Sequence, residues 1–196
     1  MKNTALIMID MQNGFLCERS PLFIDGAPAT VPVCAEVIAF CRKQGIPVVF
    51  VTRSYAADGS NVERPRYAAW LRGGKPLSPG CDPELSDAMP EAFGSAPGDY
   101  HIIKPRFSAF VHTELDALLR GLGVTRVVLA GTTTPNCIRT TCYDAISLDY
   151  DVTVLSDCTS SKTPEIQSAN LRDMQNIGTY IMTAEAFMQA EKEGRL

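Results

Sequence analysis

The sequence predicts an α/β protein with a three-layer, doubly wound, mainly parallel six-stranded sheet and helices on both faces. Short apolar runs rich in β-branched residues alternate along the chain with segments of helical periodicity, as in parallel sheets whose strands are joined by helices. The runs are also nearly continuous in apolar character, which is expected of strands that are covered on both faces.

Each element of this pattern can be assigned a range. The expected strands are 5–9, 47–52, 100–103, 126–130, 151–155 and 178–182, and the expected helices are 30–44, 112–119, 135–148, 164–176 and 184–193. Gly45 and Gly121 follow two of these helices, where a left-handed cap is common. Thr163 and Pro164 fit an N-cap followed by proline at the first helical position.

Composition limits the class of protein. The 196 residues, 45% of them hydrophobic and 20% charged, predict a single domain (1–196) that buries its own core. A net charge of −4 without a dense run of lysine and arginine argues against a nucleic-acid partner. The seven cysteines include no CxxC pair, and Asp10 interrupts the apolar start in a way that a signal peptide would not. No apolar run reaches the roughly 20 residues that a membrane span needs. We therefore expect reduced thiols, no membrane span and a cytoplasmic location.

One long irregular region, 53–99, interrupts the alternation. It is rich in proline and glycine, carries several basic and aromatic residues, and shows only a hint of helix at 65–71. A loop of this length in a compact domain is usually functional or disordered. We leave open whether it is a solvated surface segment or a lid over a pocket.

Chemically active side chains follow the ends of four expected strands. Asp10 follows the first strand, Arg53 the second and Lys104 the third, and the segment GTTTPNC, which ends at Cys137, follows the fourth. Ligands of open parallel sheets bind beyond the carboxyl ends of the strands. A carboxylate and an ammonium brought together there should pair, and a thiol beside them gains a proton acceptor and a cationic neighbour.

Cys137 is the candidate nucleophile. With Thr134 as N-cap and Pro135 as the first helical residue, it takes the third helical position, where unpaired N–H groups and the helix dipole favour thiolate. The alternative is a buried cysteine that acts as a small hydrophobe. That interpretation is preferred for four other cysteines: Cys34, Cys41, Cys142 and Cys158.

Other site chemistries find little support. His101 lies in an expected strand and His112 opens an expected helix, so a Cys–His pair is not expected, and neither histidine has a second metal ligand at useful spacing. The first strand leads into DMQNGF and not into the GxGxxG turn of dinucleotide sites. We therefore expect neither a metal nor a cofactor.

Three segments carry a family resemblance. ALIMIDMQNGF, KPRFSAF with the following TELDALLR, and VVLAGTTTPNCIRTTCYDA resemble the signature blocks of isochorismatase-like cysteine hydrolases, a family that includes nicotinamidases and N-carbamoylsarcosine amidohydrolases. The resemblance runs in order from Ala5 to about Phe187. It implies the isochorismatase-like hydrolase fold and a homo-oligomer, either a dimer or a tetramer.

The resemblance also assigns roles. It implies a catalytic triad of Asp10, Lys104 and Cys137, in which the aspartate takes the thiol proton, the lysine stabilises the thiolate and the thiolate attacks a carbonyl carbon. It further implies a cis peptide between Thr132 and Thr133 and an oxyanion hole made by the backbone N–H groups of Thr133 and Cys137.

The substrate class follows from departures within the family. The segment TRSYAADGS lacks the histidines with which nicotinamidases bind a metal, and some isochorismatases lack the nucleophilic cysteine that is present here. We therefore expect a hydrolase that cleaves a C–N bond in a small carboxamide or a carbamoyl or ureido compound. Phe15, Arg53, Trp70 and Phe107 are its expected substrate-binding residues. The alternatives are nicotinamidase or isochorismatase activity on the same fold, or a catalytically silent small-molecule binding protein.

Overall fold

A six-stranded parallel sheet forms the centre of the protein. A computed structural model describes residues 3–195. Its strands are β1 (Thr4–Ile9), β2 (Val48–Thr52), β3 (Tyr100–Ile103), β4 (Arg126–Thr132), β5 (Asp151–Ser160) and β6 (Tyr180–Met182). They lie in the order β3-β2-β1-β4-β5-β6, and every pair of neighbours is parallel. The predicted fold class is confirmed.

Helices cover both faces of this sheet. They are α1 (Asn13–Leu16), α2 (Ala27–Gln44), α3 (Tyr67–Arg72), α4 (Leu115–Gly121), α5 (Arg139–Ser147), α6 (Pro164–Asn176) and α7 (Ala184–Lys192). Val37 of α2 and Phe187 of α7 are buried with side chains from one face of the strands. Leu119 of α4, Ala145 of α5 and Met174 of α6 are buried with side chains from the other face.

Some predicted helix boundaries and one predicted cap were wrong. The second predicted helix begins at Leu115 instead of residue 112. Its left-handed residue is Gly123, with φ of 70°, whereas Gly121 is the last helical residue, because the chain continues two residues beyond the helix before it turns. The other two cap predictions are confirmed: Gly45 has φ of 68°, and the Thr163 hydroxyl accepts a hydrogen bond from the Ile166 N–H.

The long region between β2 and β3 has a small core of its own. Tyr55, Val62, Trp70 and Leu77 are buried together with Phe15. Three short 3₁₀ turns, Arg64–Arg66, Pro83–Leu85 and Glu91–Phe93, accompany α3 in this region. The region therefore packs against the sheet end as a folded excursion and not as a solvated loop.

The strand order places a crevice at the centre of the sheet. The chain builds outward from β1 through β2 to β3, and then returns to the other side of β1 with β4. Ligand crevices of doubly wound sheets lie at such a reversal, outside the carboxyl ends of the strands. The residues that follow β1 and β4 therefore face a common crevice.

Gly131 allows β1 and β4 to approach closely beside this crevice. It pairs with Ile9 in the register of the two strands, and a Cβ atom at position 131 would lie 2.0 Å from the Ile9 carbonyl oxygen. Its φ of 112° is a conformation that suits glycine. Glycine at the start of the threonine segment is therefore required by the backbone.

Candidate active site

Asp10 and Lys104 form a buried ion pair at the carboxyl end of the sheet. Lys104 Nζ lies 2.8 Å from Asp10 Oδ2, and both side chains are fully buried. The backbone N–H of Asp10 donates to Val51 O at 2.9 Å, and that of Lys104 donates to Thr52 O at 2.8 Å, so the end of β2 fixes both residues. The expected pairing of these two charges is present.

Cys137 lies against the same lysine. Its sulfur is 3.4 Å from Lys104 Nζ, which also donates to the Arg106 carbonyl at 3.2 Å. Both oxygens of the Asp10 carboxylate are buried, and Lys104 is its ion-pair partner. A thiol, an ammonium and a carboxylate therefore meet in a site that is shielded from water.

The helical turn that carries Cys137 starts one residue earlier than predicted. The peptide bond before it, between Thr132 and Thr133, is cis, as expected. The following turn is π-helical, Thr134–Ile138, with Thr133 as its N-cap. Cys137 is thus the fourth helical residue and not the third, because the wider turn begins one residue earlier. The hydroxyls of Thr133 and Thr134 both donate to Ser160 O at 3.0 Å, which ties the segment to β5.

The surroundings of Cys137 oppose the effect of helix position, which was expected to favour thiolate. Burial and then the negative charge of Asp10 raise the pKa of Cys137 to about 11, and the opposing charges of Lys104 and Arg53 do not outweigh them. Removal of the sulfur from water disfavours its charged form, an effect that helix position alone does not reveal. At neutral pH the free site therefore holds a neutral thiol beside a proton acceptor.

A cavity of about 160 Å³ opens onto Cys137. Its walls include three of the predicted substrate-binding residues, Phe15, Arg53 and Phe107. Thr133, which was predicted for the oxyanion hole, also lines it, as does Asn136. The remaining lining residues are Pro21, Leu22, Ile24, Arg66 and Lys162.

Trp70, the fourth predicted substrate-binding residue, lies outside this cavity. Its indole N–H donates to the Pro76 carbonyl at 2.9 Å, and its ring packs edge-on against Tyr55 in the small core. It borders a separate cavity of about 270 Å³. The error arose because sequence distance does not show which aromatic residues of a long loop turn towards the sheet end.

The prediction missed the groups that hold Arg53 in place. Arg53 is 1% exposed; its Nη1 donates to Tyr55 Oη at 2.9 Å and contacts Glu63 Oε1. Burial tends to lower the pKa of Arg53, but the charges around it, with Asp10 first, outweigh burial and raise it. Burial likewise acts against the charged form of Glu63, yet Arg53 holds the pKa of Glu63 below its usual value. A buried arginine requires an acidic partner, and that rule was the available signal for Glu63.

Gln12 was also missed, although it lies in the DMQNGF block. Its side-chain oxygen accepts from the Arg53 N–H at 2.8 Å, and its amide nitrogen donates to Arg53 O and to Asp87 O, both at 2.9 Å. The side chain is completely buried. Gln12 therefore fixes the backbone of Arg53 from both sides.

Within residues 3–195, no three His, Cys, Asp or Glu side chains cluster as metal ligands would. Over the same residues, no helix is both long and apolar enough to cross a bilayer.

Known proteins resemble this chain in sequence and in structure. A protein of Arabidopsis thaliana described as a probable inactive nicotinamidase is 43% identical over 182 residues, which are 90% of each chain. A ureidoacrylate amidohydrolase of Pantoea ananatis is 32% identical over 211 residues, covering 96% of this chain and 82% of its own. The crystal structure of an isochorismatase family protein from Desulfovibrio vulgaris matches with a TM-score of 0.89 and 38% identity, over 98% of this chain and all of that one.

The Isochorismatase domain matches residues 4–186, a range that contains β1, the crevice and all the site residues described above. The chain therefore belongs to the isochorismatase family of hydrolases.

Proposed function

We propose that this protein hydrolyses a C–N bond in a small carboxamide or a carbamoyl or ureido compound, with Cys137 as nucleophile. The observation that carries the proposal is the contact chain from Asp10 through Lys104 to Cys137 at the wall of a small cavity. The similarity to a ureidoacrylate amidohydrolase supports the choice of substrate class.

The first half of the reaction transfers the acyl group to sulfur. As the substrate carbonyl approaches, Asp10 accepts the thiol proton and the sulfur forms a bond to the carbonyl carbon. The backbone N–H groups of Thr133 and Cys137 stabilise the oxyanion. Asp10 then passes the proton to the leaving nitrogen, the C–N bond breaks, and ammonia or an amine departs. The acyl group remains on Cys137 as a thioester, or as a thiocarbamate if the substrate is a carbamoyl compound.

The second half returns the enzyme to its starting state. Water attacks the acyl carbon and loses a proton to Asp10. The C–S bond then breaks and the sulfur recovers that proton as a thiol. Lys104, 3.4 Å from the sulfur, stabilises the charge that appears there in both halves. Because the resting thiol is neutral, each turnover requires the transfer of the Cys137 proton to Asp10 before or during attack on the carbonyl carbon.

An ammonia-release screen over small amides, ureas and carbamoyl acids tests the proposal. We expect turnover by the wild-type protein, none by Cys137→Ala, and a covalent acyl adduct on Cys137 by mass spectrometry after a rapid acid quench. Substrate turnover by Cys137→Ala would refute the mechanism. Binding without turnover by the wild-type protein across the panel would instead identify a silent binding protein, a result compatible with the description of the Arabidopsis relative.

A further inference from the structure

The cavity beside Trp70, called the Trp70 chamber below, has an apolar floor and an exposed rim. Its volume is about 270 Å³, and it is distinct from the reaction cavity, which opens onto Cys137. Tyr55, Val62 and Trp70 form its floor; they are 4%, 8% and 4% exposed, so each keeps some accessible surface. Ala69, at the rim, is exposed. A small molecule can therefore enter over the rim and contact the floor.

The polar side-chain groups of the floor are already occupied by the protein. The indole N–H of Trp70 donates to a backbone carbonyl at 2.9 Å. The Tyr55 hydroxyl donates to Glu63 Oε2 and accepts from Arg53 Nη1, both at 2.9 Å. Arg66 is the one charged side chain among the described residues that line the chamber, and it pairs with Glu63 at 3.7 Å. Such a lining favours an uncharged, apolar occupant over water.

The Trp70 chamber shares a wall with the reaction cavity. Pro21, Leu22 and Arg66 line both cavities. The guanidinium carbon of Arg66 lies 5.5 Å from the centre of the Phe107 ring, which borders the reaction cavity. A ligand whose reacting carbonyl lies at Cys137 therefore has the chamber as its neighbour.

Packing around the chamber holds its walls in place. A Cβ atom at Gly59 would lie 2.6 Å from the Trp70 ring, and one at Gly73 would lie 2.6 Å from Pro21 Cγ, so both walls are in close contact with the backbone. Tyr55 packs edge-on against Trp70, with 6.0 Å between the ring centres. The chamber is therefore preformed, as small-molecule sites usually are.

We propose that the Trp70 chamber binds an uncharged apolar group of the substrate, a ring or a branched alkyl group at the end remote from the reacting carbonyl. The link to a substrate rests on the proposed function, whereas binding of an apolar group does not. A dry, apolar cavity of roughly 150 Å³ is large enough for benzene, so the chamber accommodates a six-membered ring and part of its linker. Trp70 then contacts the remote end of the substrate and not the reacting group.

Matched ligand pairs test the chamber, and Trp70, the single tryptophan of the chain, reports on it by fluorescence. In Cys137→Ala, which lacks the proposed nucleophile, binding of 2-cyclohexylacetamide, 3-cyclohexylpropanamide and 4-cyclohexylbutanamide is compared by calorimetry with that of acetamide, propanamide and butanamide. We expect at least one cyclohexyl amide to bind about 10- to 100-fold more tightly than its partner, the usual effect of burying an apolar group of this size, and to change the fluorescence of Trp70. Equal binding within all three pairs, or tighter binding that leaves the fluorescence unchanged, would overturn the proposal.

A substitution in α3 assigns the effect to the chamber. Ala69 lines it and is exposed, so Ala69→Leu places a larger side chain in the chamber without disturbing the core. The cyclohexyl amides should then lose most of their advantage, while binding of the small amides stays unchanged. Ala68→Leu is the matched control and should change neither, because Ala68 is also exposed but does not line the chamber. Melting curves show whether each variant is folded. An unchanged advantage in folded Ala69→Leu would place the ring elsewhere and refute the assignment.

Failure of the chamber proposal and failure of the proposed function give different results. If a cyclohexyl amide binds beside Trp70 but the wild-type protein releases no ammonia from any compound, the chamber stands as a binding site and the hydrolase proposal fails. If the wild-type protein hydrolyses both members of each pair with equal kcat/KM, the hydrolase proposal stands and the chamber proposal fails.

Discussion

Replacing Asp10 with asparagine should make Cys137 more reactive towards a simple alkylating agent while nearly abolishing turnover. Two roles of the carboxylate have opposite consequences. Its negative charge raises the pKa of the thiol, so its loss favours thiolate. Its oxygens accept the thiol proton in the proposed reaction, so its loss removes the general base. No purely structural role of Asp10 predicts both effects.

The size of the effect follows from the geometry. Lys104 Nζ is 2.8 Å from Asp10 Oδ2 and 3.4 Å from Cys137 Sγ, so the carboxylate oxygen and the sulfur are at most about 6 Å apart. At an effective dielectric constant of ~20, two like charges at this separation repel by about 3 kcal/mol, which corresponds to a roughly hundredfold change in thiolate fraction. A thiolate of lower pKa is also less nucleophilic, by about half of that change on a logarithmic scale. The net gain in alkylation rate is therefore about tenfold.

The assay is iodoacetamide labelling at pH 7, followed by peptide mass spectrometry. Cys17 and Cys81 are partly exposed and serve as internal references in the same sample. Turnover of the best substrate from the ammonia screen should fall by about 10²- to 10⁴-fold, the usual contribution of a general base. Asp10→Asn leaves the buried Lys104 without its carboxylate partner, which is destabilising. Melting curves therefore check that the variant is folded.

Lys104→Met provides the control of opposite sign. It removes the cation that lowers the pKa of Cys137, so alkylation should become slower than in the wild-type protein. The reasoning would be refuted if Asp10→Asn alkylated more slowly than the wild-type protein, or if Asp10→Asn retained wild-type turnover.

Three further predictions concern stability and metal dependence. Because the pKa of Cys137 is raised from 9.0 to about 11, its contribution to stability is complete below pH 9 and is lost as pH rises to 11. In chemical denaturation, the free energy of unfolding of the wild-type protein should fall by about 2–3 kcal/mol more than that of Cys137→Ser over this interval. Equal losses in the two proteins would contradict the raised pKa. Gly131→Ala should cost about 3 kcal/mol or more, since it combines backbone strain at φ of 112° with a clash against Ile9; a melting temperature equal to wild type would show that the strands separate without penalty. Activity should survive exhaustive treatment with EDTA, because residues 3–195 contain no cluster of metal ligands; loss of activity that zinc or iron restores would indicate a metal site and favour nicotinamidase activity.

The fold was predictable because its signals are local. Apolar runs, helical periodicity and the cap at Thr163 are properties of neighbouring residues, and parallel connections then place all the strand ends at one edge. That edge brings Asp10, Lys104 and Cys137 to the same end of the sheet, and the family resemblance implied that they act together. Strand ends were less predictable: β5 continues to Ser160, beyond the predicted end at residue 155, because pairing with β4 resumes after a shift in register.

The sequence by itself determined the sheet, the family and the residues that meet beyond the ends of β1, β3 and β4, since each depends on local pattern and chain order. Only the tertiary structure decided the protonation of Cys137, because desolvation depends on everything packed around the sulfur. It also decided that Glu63 and Tyr55 anchor Arg53 and that Trp70 packs away from the site. Those contacts join parts of a long irregular region, where no periodicity relates sequence position to direction in space.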